Sequence, residues 1–144
     1  RNIQIARGAL PPEQKLWFPT DPAMLDVART ISGGVELKRC AGDRCLSDAP
    51  KLIVGGNGVS GASFVDNTAL REWAFRTFEA RVLDMETAAV AHVAYVNQTP
   101  FIAFRSLSDL AGGEDSANQA EAFYRLASDN SAAVVLAFLA ALPK

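Results

Sequence analysis

The sequence predicts an α/β fold, and three features lead there. An apolar run ending at Val82 and Leu83 passes into a helix of small residues and returns, after Pro100, as a second apolar run at residues 101–104. A short apolar stretch at residues 51–54 ends in a glycine cluster, as a buried strand does. A long segment with apolar residues at helical spacing, residues 119–142, closes the chain. Strands that alternate with helices form parallel sheets, and their ends meet at a common edge where ligands of open α/β sheets bind.

Each element has its own local cause. Ile3 and Ile5 suit the tail of a strand, and Pro11, Pro12 and Pro19 make the rest of residues 1–20 an extended loop. Trp17 and Phe18 anchor that loop, either in a subunit contact or against the chain's own core. Asp21-Pro22 opens a helix with a capping acid and a proline at the first helical position. Met24, Leu25, Val27, Ala28 and Ile31 form its apolar stripe, and Gly33-Gly34 ends it. Residues 35–40 alternate as a charged edge strand, and residues 51–54 form a short buried one. Gly55, Gly56 and Gly58 match neither a dinucleotide nor a phosphate-loop pattern; they bend the strand or admit a close neighbour. Residues 59–65 continue that edge. Asp66 or Asn67 then caps a helix over residues 68–78, with Leu70, Trp73, Ala74 and Phe78 inward and Arg71, Glu72 and Arg76 toward water. In the last helix Phe123, Leu126, Ala127, Val134, Phe138 and Leu142 face the core.

Composition narrows the function classes. The 144 residues suit one domain, about half of them are apolar, and the net charge is −2. A nucleic-acid binder would carry a basic excess, and no apolar run approaches the roughly 20 residues of a membrane helix. The opening at Arg1 reads as a cut or processed end without a secretory signal. Cys40 and Cys45 flank a turn-like stretch, so a local disulfide and two inert thiols are equally open. A cytoplasmic setting is slightly favoured, with export the alternative if the disulfide forms. Adding the lone His92 leaves too few ligands for a metal site, and no cofactor is expected.

The chemistry concentrates where the two central apolar runs end. Asp84 and Glu86 follow the first, and Arg105, Ser106, Ser108 and Asp109 follow the second. Such a gathering of charges at one sheet edge is costly unless it binds something. On pattern alone each residue has a plainer role. Asp109 suits a turn, Glu86 the first turn of a helix, Met85 and Phe64 the core, and Arg105 a salt bridge to Asp84 or Glu86.

The residues Asp84-Met85-Glu86, Thr99-Pro100-Phe101 and Arg105-Ser106-Leu107-Ser108-Asp109-Leu110-Ala111, in that order, resemble the nucleoside phosphorylases and 5'-methylthioadenosine/S-adenosylhomocysteine nucleosidases. The stretch from Val59 to Val65 is similar to that family's purine-stacking segment, and the resemblance runs from about Phe18 onward. It implies a three-layer α/β/α sandwich with a mixed central sheet, of which residues 1–144 form the C-terminal portion of a single domain. It also implies cleavage of the N-glycosidic bond of a purine nucleoside by water or phosphate. A homodimer or higher homo-oligomer is expected, with part of the active site upstream of Arg1. Asp109 would protonate the leaving base, and Arg105 would lie near the attacking water or phosphate. Glu86 would hold the ribose hydroxyls, Met85 would lie on the sugar, and Phe64 would stack on the base, whose edge would meet the main chain at Val65. Ser108 would help position Asp109 or the base. Asp84 stands where the family usually has glutamate, one methylene longer, so its substrate contact is the open one. The motif around Asp109 is closer to the nucleosidases than to the phosphorylases, and a non-catalytic storage or nucleoside-binding relative is the alternative of another class.

Overall fold

The computed structural model describes residues 2–107, 110–112 and 120–143. Its elements follow the order β1 (Ile3–Ile5), β2 (Glu13–Lys15), α1 (Pro22–Ile31), β3 (Cys40–Ala41), β4 (Arg44–Cys45), β5 (Asn57–Ser60), α2 (Thr68–Phe78), β6 (Ala80–Asp84), α3 (Thr87–Val96) and α4 (Ala120–Ala141).

The unit that positions the site is β5–α2–β6. Gly55 and Gly56 turn the chain into β5 at φ +94° and +103°, values that favour glycine. Asn67 caps α2 by accepting the Leu70 amide at 2.8 Å. Glu79 ends that helix in the left-handed conformation, and β6 starts at the next residue. β5 and β6 then pair in parallel, with Ser60 opposite Asp84 at their shared C-terminal edge. α2 packs on β6, and α3 packs on β5. The small residues of α3 allow that approach, and Ala91 is its buried contact.

A second packing unit joins α1 to α4. Asp21 accepts the Met24 amide at 3.0 Å, the expected cap. Ala28 of α1 and Leu126, Val134 and Phe138 of α4 are buried. Each large side chain of that set contributes about 1.5–3 kcal/mol by leaving water. Phe104 packs its ring on Phe138 at 5.0 Å, which brings the chain just before Arg105 onto this core. Asn130, almost fully buried, exchanges two hydrogen bonds with the Lys38 backbone at 2.8 and 2.9 Å, and so fastens the β3–β4 hairpin to α4. Cys40 and Cys45 face each other across that hairpin and are joined as a disulfide. Of the two states open in the sequence, this is the one the fold adopts.

Several expectations change. Residues 1–20 are not simply a loop: β2 pairs antiparallel with β1, Ile5 opposite Glu13. Glu13-Gln14-Lys15 has no apolar alternation to announce a strand. Its ladder is held instead by Tyr95 of α3, whose hydroxyl donates to Glu13 while Arg7 and Lys15 lie over its ring at 4.5 and 4.4 Å. Phe18 stacks on His92 at 5.0 Å, so it anchors on the chain's own core and accounts for that histidine. Of residues 35–40, only Cys40 enters a strand, and residues 51–54 and 101–104 enter no ladder. An apolar run specifies a strand only together with its partner, and Phe101 spends its carbonyl on the Asp21 amide at 2.7 Å. The described residues carry three two-stranded sheets. The α/β class holds, since strand and helix alternate in β5–α2–β6–α3. On α2, Ala74 is buried and Phe78 half-buried as expected, while Leu70 and Trp73 are exposed.

Candidate active site

Parallel pairing puts the ends of β5 and β6 side by side, and the Asp84 carbonyl accepts the Gly61 amide at 3.0 Å. The Asp84 carboxylate then gathers donors from three directions. Ser60 Oγ and Thr87 Oγ1 both donate to it, and the Thr87 amide reaches Oδ1 at 3.2 Å. Arg105 Nε lies 2.8 Å from Oδ2. The same Nε is 2.8 Å from Thr87 Oγ1, and the Arg105 terminal nitrogen is 3.5 Å from Glu86 Oε2. Asp84, Glu86 and Arg105, expected together from sequence, are together.

Their environments differ. The Asp84 side chain is 11% exposed, that of Glu86 is 59% exposed, and Arg105 is between them at 37%. Asp84 caps α3 through the Thr87 amide, which relieves Glu86 of that duty: Glu86 occupies the N-cap position with no side-chain cap bond. Glu86 is thus an open carboxylate at the positive end of a helix, held loosely by one guanidinium and free to accept hydroxyls.

Burial pushes the Asp84 carboxyl pKa upward, but the hydrogen bonds from Ser60 and Thr87 and the nearby Arg105 charge outweigh it, so the group sits below its ordinary value. A carboxyl depressed on folding adds stability above its unfolded pKa of about 3.9 and loses it as pH falls through the lower folded value. Glu13, depressed chiefly by the Tyr95 hydrogen bond, follows the same sign. Between pH 7 and 5 these two groups should leave stability unchanged, and below about pH 4 stability should fall. Urea unfolding at stepped pH checks this, and Asp84→Asn should flatten the acid slope.

Of the other expected residues, Phe64 and Val65 lie in the loop between β5 and α2, Phe64 exposed and Val65 half-buried. Met85 is exposed in the turn between β6 and α3. Ser108 and Asp109 lie outside the described residues. Ser60 and Thr87 were missed, because a hydroxyl at a strand end or a helix start carries no pattern of its own. A depression of about 650 Å³ lies at the other end of α3, lined by residues such as Arg7, Val96 and Gln98, away from this chemistry.

The far side of the loop is also fastened. Asp66, expected as a possible cap, instead accepts the Gly112 amide at 2.7 Å. Thr68 donates to the Gly112 carbonyl, and Arg71, expected in water, donates to the Ala111 carbonyl at 3.0 Å. Gly112 has φ +67°, and an added Cβ would overlap the Thr68 amide and lie 2.8 Å from the Asn67 carbonyl carbon. Gly112→Ala should therefore cost about 1–3 kcal/mol, measurable by chemical unfolding. A cost below a few tenths would show that the contact does not hold.

The family model described as Phosphorylase superfamily matches residues 4–140. A 5'-methylthioadenosine/S-adenosylhomocysteine nucleosidase of Halalkalibacterium halodurans is 33% identical over 132 residues, covering 91% of this chain and 51% of that protein. Its counterpart in Tolumonas auensis is 30% identical over 135 residues, covering 89% of this chain and 50% of that protein. Bark storage protein A of Populus deltoides is 27% identical over 132 residues, covering 92% of this chain and 41% of that protein. The chain thus spans about half the length, or somewhat less, of these curated relatives. No solved structure matches it. With the family model spanning nearly the whole chain, the chain belongs to the phosphorylase superfamily.

Proposed function

We propose that the protein cleaves the N-glycosidic bond of a purine nucleoside or thionucleoside by hydrolysis, in the manner its nucleosidase relatives' names describe. The observation that carries this is Arg105 spanning Asp84 and Glu86 at the edge shared by β5 and β6, in a member of this superfamily. The reading treats these 144 residues as the C-terminal portion of one three-layer α/β/α domain with a mixed central sheet, assembled as a homo-oligomer.

The division of labour follows from the bond. As the C–N bond breaks, its electron pair moves onto the purine and the sugar becomes cationic. Asp109 gives its proton to a ring nitrogen, so the base leaves neutral. Glu86 accepts the ribose hydroxyls and opposes the positive charge that grows on the sugar. Phe64 stacks on the base, the Val65 main chain meets its edge, and Met85 lies against the sugar. Arg105 lies beside the attacking oxygen, and Ser108 orients Asp109 or the base. Water adds to the anomeric carbon and the proton it loses passes to solvent, from which Asp109 regains the one it gave to the base. Asp84 enters through Arg105.

Two observations keep other readings in view. The superfamily includes phosphorylases; in a phosphorylase reading phosphate would replace water at the same proposed base and sugar contacts. The match to a bark storage protein supports, as the reading of another class, a non-catalytic storage or nucleoside-binding protein. Incubating the full-length protein with a purine nucleoside, with and without phosphate, separates the three. Free sugar and base without phosphate are expected. A sugar 1-phosphate would make it a phosphorylase, and binding with no product would make it a binding protein.

A further inference from the structure

We propose that Ser60 and Asp84 act as one positioning unit, locking the segment that leads to Phe64 and the turn that carries Glu86 into a fixed relation with Arg105. The inference rests on the nucleoside-cleaving reading and assigns two residues that do not themselves touch the ligand.

The geometry of Ser60 is the starting point. It is the last residue of β5 and stands opposite Asp84, the last residue of β6. Its hydroxyl donates to Asp84 Oδ1 and accepts the Ala88 amide at 2.8 Å. One oxygen atom thus joins two strand ends to the first turn of α3. Four residues beyond Ser60 stands Phe64, and two beyond Asp84 stands Glu86. A shift of either strand end relative to the other would change the spacing between a base-stacking ring and a sugar-holding carboxylate.

Asp84 is committed in the same way. An ionised carboxylate offers about four acceptor sites. The Ser60 hydroxyl, the Thr87 hydroxyl and the Thr87 amide donate to Asp84, and Arg105 Nε lies 2.8 Å from its Oδ2. These partners hold the Asp84 side chain in place, and it is 11% exposed. A side chain longer by one methylene could reach past this ring of donors, whereas aspartate ends within it. Asp84 therefore holds Arg105 and the start of α3, and contact with the sugar falls to the open Glu86.

Hydrogen exchange and steady-state kinetics of full-length wild type, Ser60→Ala, Ser60→Thr, Asp84→Asn and the Ser60→Ala/Asp84→Asn double variant test this. Ser60→Ala should expose the Ala88 amide to exchange and lower kcat by about tenfold to a hundredfold with little change in KM, the mark of lost alignment. Ser60→Thr keeps the hydroxyl and should restore both. The double variant should lose no more than the worse single one, because the two residues act together. An Ala88 amide equally protected in Ser60→Ala would overturn the bridge. Multiplicative losses in the double variant, or unchanged kcat in Ser60→Ala, would overturn the positioning role. A wild type that turns over no purine nucleoside would overturn the functional reading and the role in turnover with it. The exchange data would still decide separately whether the bridge exists.

Discussion

Asp109→Asn should lower kcat by about 10²–10⁴-fold while nucleoside binding changes little, because general acid catalysis is typically of that size. Asparagine keeps the shape and can still donate a weak hydrogen bond, but it cannot surrender a proton to a departing purine. The loss belongs to the transition state, so kcat and kcat/KM should fall together. Substrates whose base leaves easily as an anion should suffer least, and a series of such purines provides the check. Turnover equal to wild type would remove Asp109 from the acid role.

Glu86→Gln carries the second large effect. Glu86 is the open carboxylate of the cluster, and among the described residues only Arg105, at 3.5 Å, engages its side chain. The amide keeps one acceptor for a ribose hydroxyl but loses the negative charge that opposes the cationic sugar. A loss of about 10²–10³ in kcat/KM is expected, roughly 3–4 kcal/mol of transition-state stabilisation. A nucleoside lacking the hydroxyl that Glu86 receives should lose much less on mutation, since the contact is already absent. Equal losses for both nucleosides would place Glu86 in a structural role. Because Asp84 caps α3 and holds most of the Arg105 contact, Glu86→Gln should leave thermal stability nearly unchanged.

The parts of this molecule that sequence discloses are those set by local rules. Asp21-Pro22 and Asn67 start helices because a side-chain oxygen satisfies an unpaired amide one turn on, and that needs no distant partner. The buried face of α4 follows from spacing alone, as Leu126, Val134 and Phe138 confirm. Strands behave otherwise. Residues 51–54 and 101–104 have the right composition, yet among the described residues neither enters a ladder, because a strand is defined by its neighbour. Glu13-Gln14-Lys15 has the wrong composition and does pair, because Tyr95 collects its charges.

The candidate site divides along the same line. Asp84, Glu86 and Arg105 were legible together because each follows an apolar run, although of the two runs only the one ending at Asp84 enters a sheet among the described residues. Ser60 and Thr87 were not, since their importance lies in one bond across 24 residues and one across 18. The pairing of Asp66 and Thr68 with Gly112 was hidden for the same reason. It joins residues 46 and 44 positions apart.

A structure of the full-length protein with an uncleavable purine nucleoside should show the base against Phe64, a ring nitrogen within about 3 Å of the Asp109 carboxyl, and the ribose hydroxyls at the same distance from Glu86. A nucleoside bound elsewhere, or Glu86 and Asp109 on opposite sides of the sheet with no ligand between them, would contradict the nucleoside-cleaving reading.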